Sequence, residues 1–272
     1  MFEKSCSKMY SFIIKNSQFL IKNTLDWFVK WFNSPYYHIL YKSRDTKEAE
    51  IFMDNLSEKL AFSPTQQILD LACGKGRHAI YLNKKGFNIT GTDLSTESIA
   101  HTQKYARIYT NNSVGERLRF AVQDMREVFK ENYFDVVLNL FTSFGYFDTK
   151  QENQQAITAM AANLKADGVL VIDFFNTQKI IQKLVPLSQK TENNIVFNIE
   201  KTYENGHIIK KIKFSDKNED FFFQEKVEAI SYEDFLEYFK NAGLSLKNIY
   251  GNYALDAWNE DNSDRMIFIL TK

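Results

Sequence analysis

The sequence predicts an α/β fold: a doubly wound, seven-stranded mixed sheet with an N-terminal helical lid and an inserted antiparallel β flap. Three observations carry this prediction. Short apolar runs alternate with helical segments over residues 67–175, which is typical of parallel strands joined by crossover helices. An Asn-Gly dipeptide between two alternating segments indicates a hairpin. The two final strands have no helix between them, which indicates an antiparallel edge.

The composition is that of an ordinary globular chain, and it disfavours several classes of function. The 272 residues carry 34 basic and 34 acidic side chains, so the formal net charge is zero, whereas nucleic-acid binders usually carry a basic excess. Cys6 and Cys73 form no Cys-x-x-Cys pair, so we expect neither a metal site nor a redox motif. The apolar segment at 11–21 is too short and too polar to span a membrane, so we expect a cytoplasmic protein.

Changes in patterning divide the chain into four segments. Residues 1–62 are apolar at helical spacing and predict an N-terminal helical extension or lid. Residues 63–176 and 231–272 carry the alternating strands and helices, and we assign them to one ligand-binding α/β domain. Residues 177–230 interrupt the alternation, and Asn205-Gly206 joins two of their strands. This segment predicts an antiparallel insertion that covers the substrate pocket.

The individual elements follow from apolar runs for strands, and from capping residues and terminal glycines for helices. In the α/β part, strands are predicted at 67–72, 87–93, 118–122, 134–140 and 169–175, and helices at 77–85, 95–109 and 150–164. The insertion holds predicted strands at 194–203, 207–214 and 221–230. A helix at 232–241 precedes the last two strands, at 244–250 and 265–270.

A glycine-rich turn between the first strand and the following helix holds the residues that carry chemistry. It reads Asp70-Leu-Ala-Cys-Gly74-Lys-Gly76-Arg. Glycines there let a ligand approach the backbone, and the helix N-terminus offers free N–H groups. Asp93, at the end of the second strand, can accept hydrogen bonds from both hydroxyls of a ribose. The turn and this carboxylate together predict a site for a nucleoside-like ligand.

Two nucleoside cofactors compete for this site. Gly74-x-Gly76-x-x-Ala79 formally matches the dinucleotide fingerprint, and Asp93 lies near the offset expected for its ribose carboxylate. Asp70 argues against a dinucleotide, because a buried carboxylate would repel a pyrophosphate. The same carboxylate suits the ammonium group of S-adenosylmethionine, which carries no phosphate. We therefore favour S-adenosylmethionine over NAD as the cofactor.

With these residues in view, the chain resembles the class I S-adenosylmethionine-dependent methyltransferases over 67–175 and 231–272. The glycine turn is close to the family's D-x-G-C-G-x-G, with Ala72 where glycine is commoner. Four further motifs match in the family order, and they read Gly91-x-Asp93-Leu-Ser95, Gln123-Asp-Met-Arg126, Phe134-Asp-Val-Val-Leu-Asn139 and Leu164-Lys-Ala-Asp-Gly168. Five motifs in order are more specific than one glycine loop.

The resemblance implies roles in cofactor binding. Asp70 would bind the methionyl ammonium, Asp93 the ribose hydroxyls and Asp124 the adenine amino group. Arg44 and Arg77 are candidates for the cofactor carboxylate. The other cofactor contacts that the resemblance implies are Ala72, Cys73, Gly74, Gly76, Leu94, Ser95, Met125, Arg126, Asn139 and Leu140.

Methyl transfer needs alignment more than acid or base chemistry. The protein must align the nucleophile, the methyl group and the sulfur in line, and must exclude water. A base is needed only if the nucleophile carries a proton. We expect an aromatic cage with Tyr41 and Tyr146 as its catalytic residues, because aromatic rings attract cations such as a sulfonium. The predicted substrate contacts are Tyr36, Tyr37, Phe141, Phe144, Phe175 and Arg265.

A lid and a flap would enclose a pocket, which favours a small-molecule N or O acceptor, as in the methyltransferases of this type that act on glycine, sarcosine or natural products. Nucleic acid is a disfavoured partner because the charge is balanced and the segment from Asn139 lacks an N-P-P-Y motif. We expect no membrane partner, and a homodimer stays open. Three alternatives also stay open: a tRNA or nucleobase methyltransferase, an NAD-dependent oxidoreductase, and a non-catalytic S-adenosylmethionine-binding protein.

Overall fold

A computed structural model describes residues 27–41, 46–109 and 117–272 of the chain. Its helices are α1 (Trp27–Phe32), α2 (Pro35–Leu40), α3 (Thr46–Lys59), α4 (Arg77–Lys84), α5 (Thr96–Tyr109), α6 (Lys150–Asn163), α7 (Thr177–Gln182) and α8 (Tyr232–Asn241). Its strands are β1 (Gln67–Leu71), β2 (Asn88–Asp93), β3 (Leu118–Val122), β4 (Phe134–Asn139), β5 (Leu164–Phe175), β6 (Leu187–Glu192), β7 (Ile195–Glu204), β8 (His207–Asp216), β9 (Glu219–Glu228), β10 (Ser245–Tyr250) and β11 (Arg265–Thr271). None of the helices in these ranges is long and apolar enough to cross a membrane.

The larger sheet has seven strands in the order β10-β11-β5-β4-β1-β2-β3. The five strands from β5 to β3 pair in parallel, whereas β11 is antiparallel to both β5 and β10. The predicted seven-stranded mixed sheet is therefore confirmed. The chain leaves β1 toward β2 on one side and later returns to β4 on the other. Such a switch point opens a crevice beyond the carboxyl ends of the strands.

Helices cover both faces of this sheet, which explains why its central strands are continuous apolar runs. Successive side chains of a strand point to opposite faces. Leu69 and Ile172 therefore pack in the core with α6 and α8, whereas Ile68 and Val171 pack in the core with α3, α4 and α5. Burial on both faces is the usual environment of parallel strands.

The smaller sheet is antiparallel, in the order β6-β7-β8-β9. Asn205 and Gly206 join β7 to β8 with φ angles of +50° and +74°, as a type I′ hairpin turn requires. The sequence predicts three strands here, and the structure adds β6 and the short helix α7. No residue of β6 is buried, so this strand has no apolar alternation that the sequence could reveal.

Helices α1 and α2, which are called the lid below, pack on one face of the smaller sheet, whereas α3 packs against the larger sheet. Trp31 of α1 and Phe197 and Phe214 of that sheet belong to one apolar cluster, separate from the two cores of the larger sheet. Glu225 of β9 accepts hydrogen bonds from Trp31 Nε1 at 2.7 Å and from the Tyr41 hydroxyl at 2.6 Å. The lid and the insertion therefore share one apolar core, and the hydrogen bonds to Glu225 hold them together.

One boundary in the larger sheet differs from the prediction. Strand β5 begins at Leu164, five residues before the predicted start at 169, and Asp167 has a φ of +62°. The pairing of β4 with β5 shifts between Phe134 and Val136, which is the mark of a β-bulge. Helix α6 ends at Asn163, whose Oδ1 accepts the Phe129 N–H at 3.0 Å. Residues 164–168 therefore continue the strand rather than the helix.

Candidate functional site

A cavity of about 290 Å³ lies beyond the carboxyl ends of β1, β2 and β4, beneath the lid. Its acidic wall comes from the loops after the first three strands: Asp70, Ala72, Cys73, Gly74, Lys75, Arg77, His78, Asp93, Leu94, Ser95, Ser98, Gln123, Asp124 and Met125. The rest comes from the loop after β4 and from the lid: Leu140, Phe141, Thr142, Ser143, Tyr146 and Phe147, with Phe28, Phe32, Tyr37, His38 and Tyr41. The cavity thus occupies the crevice at the topological switch point.

The two glycines of the turn after β1 have different roles. Gly74 borders the cavity with a φ of +55°, and a Cβ placed on it would meet nothing within 4 Å. A Cβ on Gly76 would lie 2.7 Å from Thr102 Cγ2 and 2.9 Å from Phe120 Cε1. Gly74 therefore leaves room for a ligand, whereas Gly76 lets the turn pack against α5 and β3.

The carboxylate of Asp93 ties the turn to the start of α5. Its Oδ2 accepts the Gly74 N–H and its Oδ1 accepts the Ser95 N–H, each at 2.8 Å. The Ser95 hydroxyl accepts the Ser98 N–H at 3.0 Å and also bonds to Asn33 between the lid helices. Each carboxylate oxygen keeps a lone pair for a ligand hydroxyl. Asp93 therefore fixes the geometry of the turn and still faces the cavity.

Asp70 is a buried carboxylate without a full set of partners. Its exposed fraction is 1%, and its Oδ2 has no hydrogen-bond partner among the described residues. Burial raises the pKa of Asp70 to about 7, against the opposing attraction of the Arg77 guanidinium. A buried polar atom without a partner is costly. Since Asp70 lines the cavity, this atom fits the cationic group of a ligand.

Aromatic rings form the wall opposite these carboxylates. The Phe32 ring packs edge-on against Tyr37 and Tyr146, with centroid distances of 5.0 and 5.3 Å. The Arg77 guanidinium lies over the Phe141 ring, 4.5 Å from its centroid. The cavity therefore combines a polar, acidic wall with an aromatic one, a lining suited to an organic cation.

The comparisons with known proteins agree with this geometry. Residues 68–168 match the family model described as a methyltransferase domain. The chain is 28% identical over 210 residues to the putative methyltransferase YqeM of Bacillus subtilis (strain 168), covering 74% of this chain and 82% of that protein. It is 28% identical over 147 residues to a glycine/sarcosine N-methyltransferase of Aphanothece halophytica, covering 53% and 52% of the two chains. The crystal structure of an S-adenosylmethionine-dependent methyltransferase from Clostridium acetobutylicum ATCC 824 superposes with a TM-score of 0.74 at 22% identity, covering 87% and 97%.

Residues 68–168 of this chain form a methyltransferase domain, and the chain has the fold of the S-adenosylmethionine-dependent methyltransferases. S-adenosylmethionine is the cofactor of the methyltransferase. The buried Asp70 Oδ2, which has no hydrogen-bond partner among the described residues, fits the cationic end of that cofactor better than it would fit a pyrophosphate.

The structure brings most of the predicted cofactor residues of the methyltransferase to the cavity wall. Those that line it are Asp70, Ala72, Cys73, Gly74, Arg77, Asp93, Leu94, Ser95, Asp124, Met125 and Leu140. Ala72 adopts a φ of +60°, in the left-handed region that favours glycine. This conformation gives a physical reason for the glycine that is commoner at this position.

Three predicted cofactor residues lie away from the cavity. Gly76 is packed beneath the turn, as described above. The Arg126 guanidinium pairs with Asp124 at 2.6 Å and with Glu152 of α6 at 2.7 Å. Asn139 is fully buried, and its Nδ2 donates to the Leu71 carbonyl at 3.2 Å. Arg44 lies outside the described residues.

The predicted catalytic residues, Tyr41 and Tyr146, and the predicted substrate residues divide in the same way. Tyr37, Tyr41, Phe141 and Tyr146 line the cavity, whereas the structure places the remaining four elsewhere: Tyr36, Phe144, Phe175 and Arg265. The Tyr36 hydroxyl donates to Asp216 at 2.9 Å on the smaller sheet. The two phenylalanines lie in the core beside α8. The Arg265 guanidinium bonds to Asp173 at 2.7 Å.

Several residues at the cavity were not among the predicted contacts. Phe28 and Phe32 form an i, i+4 pair on α1, a spacing that could have placed both on one helix face. Burial lowers the pKa of His38 to about 4 and that of His78 to about 3. Both histidines are therefore neutral near pH 7 and are weak bases there. Their side chains give no acid or base signal that the sequence could have shown.

The contrast between the two glycines predicts separable effects of the same substitution. Gly76→Ala should lower the free energy of unfolding by about 3 kcal/mol, since it adds a steric clash to backbone strain. Gly74→Ala should cost only about 1 kcal/mol, but its methyl group enters the cavity and should weaken S-adenosylhomocysteine binding several-fold. Urea unfolding and calorimetric titration measure the two effects. Equal losses of stability with unchanged binding would contradict the assignment.

Proposed function

We propose that the methyltransferase transfers its methyl group to a small-molecule N or O acceptor. The observation that carries this proposal is the cavity beneath the lid, which is lined both by aromatic rings from the lid and the loop after β4 and by the carboxylates Asp70, Asp93 and Asp124. Small-molecule sites are concave and largely apolar, with a few placed polar groups. The name of the Aphanothece halophytica relative states that it methylates glycine and sarcosine, which supports an amine nitrogen in particular. The formal net charge of zero supports a small molecule over a nucleic acid.

The cofactor wall supplies three carboxylates with distinct roles in this proposal. S-adenosylmethionine supplies a methyl group that is already activated by its sulfonium. Asp70 binds the methionyl ammonium, because its Oδ2 is otherwise unpartnered in the part of the chain that the structure describes. Asp93 holds the ribose hydroxyls with the lone pairs that the Gly74 and Ser95 N–H groups leave free. Asp124 faces the adenine amino group while Arg126 fixes its orientation.

The aromatic wall aligns the reacting groups and excludes water. Tyr146 is held by a hydrogen bond of 2.7 Å from its hydroxyl to the Thr142 carbonyl, and Tyr41 by its bond to Glu225. Both hydroxyls therefore make hydrogen bonds within the protein, and each residue contributes its aromatic ring to the cavity wall. Rings fixed in this way attract a cation and keep the site dry. In this proposal the contribution of the chain is proximity and desolvation rather than acid–base chemistry.

The proposed reaction predicts a specific pattern of turnover. Formation of S-adenosylhomocysteine should be stimulated at least about tenfold by a member of a panel of small amines, amino acids and phenols, and not by bulk tRNA. Asp93→Ala should abolish that stimulation, because it removes a carboxylate that holds both the turn and the cofactor and that makes charge-assisted bonds. Turnover with tRNA alone would contradict the small-molecule acceptor.

The aromatic wall predicts a difference between two substitutions of Tyr146. Tyr146→Leu should lower kcat/KM about tenfold, since a ring facing a cation contributes about 0.5–2 kcal/mol. Tyr146→Phe keeps the ring and should retain most of the activity. Phe222→Leu is a matched control, because this ring is 55% exposed and does not line the cavity. If the leucine variant matches the wild type in both kcat and KM, the cage proposal is wrong.

The raised pKa of Asp70 predicts a pH dependence of stability. Its folded pKa of about 7 lies above its ordinary value of 3.8, so the folded carboxyl binds its proton more tightly than the unfolded one. Its contribution to the free energy of unfolding is therefore complete below pH ~4 and is lost as the pH rises through ~7. Between pH ~5.5 and ~8 the free energy of unfolding of the ligand-free wild type should fall by about 2 kcal/mol more than that of Asp70→Asn, as measured by urea unfolding at each pH.

The same group links pH to cofactor binding. An ammonium beside Asp70 favours the ionised carboxylate, so the affinity for S-adenosylhomocysteine should rise through pH ~7 in the wild type. Asp70→Asn should bind more weakly and lose this rise. Calorimetry in buffers of different ionisation enthalpy measures the released proton directly. An identical pH dependence in both proteins would show that Asp70 is not the group that binds the ammonium.

A further inference from the structure

The loop after β4 has a strained backbone where it borders the cavity. Phe141 and Thr142 have φ angles of +82° and +84°, in the left-handed region that non-glycine residues rarely adopt. Such residues persist only where their surroundings hold them, and they concentrate at functional sites. Both residues line the cavity, so the shape of this wall depends on whatever holds them.

A buried ion pair holds both strained residues. Asp173 of β5 accepts the Phe141 N–H on Oδ2 at 2.9 Å, and its backbone carbonyl accepts the Thr142 N–H at 3.3 Å. Arg265 of β11 donates from Nε to Asp173 Oδ1 at 2.7 Å and from its second arm to Thr142 Oγ1 at 3.1 Å. Tyr253 completes the set with a bond of 3.1 Å from its hydroxyl to Asp173 Oδ2. One carboxylate and one guanidinium therefore fix the backbone and a side chain of the loop.

Stability alone does not account for this pair. The Asp173 side chain is 0% exposed and that of Arg265 is 17% exposed, so both charges have lost most of their hydration. Burying a pair of charges often contributes no more stability than a well-packed apolar pair would. What an apolar pair cannot do is accept the Phe141 N–H and reach the Thr142 hydroxyl together. The bonds to the loop therefore distinguish this ion pair from a packing contact.

The strained loop in turn touches both walls of the cavity. The Phe141 ring lies under the Arg77 guanidinium, whose charge acts on Asp70. The Thr142 carbonyl accepts the hydroxyl of Tyr146. A change of φ at either residue would therefore move a cofactor-side cation and an acceptor-side ring together.

We propose that Asp173 and Arg265 are positioning residues, which hold Phe141 and Thr142 in the strained conformation that the cofactor and the acceptor require. The pair acts through the loop and does not itself line the cavity. The proposal rests on the proposed cofactor site. Its primary readout is cofactor affinity, so it can be tested whether or not an acceptor has been found.

The decisive variant is Arg265→Lys, alone and combined with Thr142→Gly. A lysine ammonium keeps the charge but loses the planar fork that reaches Asp173 and Thr142 together, so S-adenosylhomocysteine should bind at least about tenfold more weakly. Glycine adopts positive φ without steric cost. Adding Thr142→Gly should therefore restore the affinity to within about threefold of the wild type. A purely structural ion pair predicts lower stability, unchanged affinity at temperatures where the variant is folded, and no rescue by glycine.

A second ion pair of the same sheet provides a matched control. Lys165 bonds to Asp135 Oδ1 at 2.8 Å, and Asp135 Oδ2 accepts the Gln67 N–H at 2.7 Å. This pair also holds a backbone N–H, but it lies at the opposite end of β4 from the cavity. Lys165→Met should change S-adenosylhomocysteine affinity less than about twofold.

A milder variant keeps the test decisive if Arg265→Lys does not fold. Thr142→Val removes the hydroxyl that the guanidinium reaches and leaves the ion pair intact, and it should weaken S-adenosylhomocysteine binding about threefold to tenfold. Wild-type affinity in Thr142→Val, or in a folded Arg265→Lys, would overturn the proposal. Once an acceptor is known, Arg265→Lys should also lower kcat at saturating substrates.

Discussion

The site depends on how closely the backbone approaches the ring of Phe120. A Cβ atom on Gly76 would lie 2.9 Å from Cε1 of this ring, and a Cβ atom on Gly91 would lie 2.6 Å from it. Only glycine fits at these two positions beside the ring of β3. The Gln103 side chain of α5 donates to the Phe120 carbonyl at 3.1 Å and fixes its strand against the helix. Because the ring fills this space, the turn after β1 and the end of β2 are drawn together, and Asp93 can bond to Gly74. The acidic wall of the cavity is thus a consequence of packing beneath it.

The same packing sets the electrostatics of the cofactor wall. Burial raises the pKa of both Asp70 and Asp93. Asp93 also lies close enough for its negative charge to raise the pKa of Asp70 further. Arg77 offsets part of this repulsion at Asp70, but its guanidinium is also engaged with the Phe141 ring. A positively charged ligand therefore stabilises the buried negative charges of these carboxylates, whereas the negative charges of a pyrophosphate would add to the repulsion. This difference favours S-adenosylmethionine over a dinucleotide as the ligand of a turn with dinucleotide-like spacing.

The sequence predicted those parts of the molecule that rest on local patterns. The central strands of the larger sheet are apolar on both faces, and the glycine turn follows a recognisable motif, so both could be predicted from the sequence. Strand β6 could not, because none of its residues is buried. Arg126 and Asn139 lie in matching motifs, yet their partners, Glu152 on α6 and the Leu71 carbonyl, come from elsewhere in the fold. The positive φ angles of Phe141 and Thr142 could not be predicted either. A glycine would have indicated such a conformation, and neither residue is a glycine.

The cavity is built from parts of the chain that belong to two separate cores. The cofactor wall belongs to the larger sheet, whereas the lid shares its core with the smaller sheet and is anchored there through Glu225. Substitutions in the smaller sheet can therefore change the part of the cavity wall that the lid forms, with little effect on Asp70, Asp93 or the turn between them. Contacts among the described residues still join the two parts. The Ser95 hydroxyl bonds to Asn33 between the lid helices. The loop after β4 touches Arg77 on one side and carries Tyr146, which packs against Phe32 of the lid, on the other. Its strained backbone is the point at which the fit to the cofactor and the fit to the acceptor constrain each other.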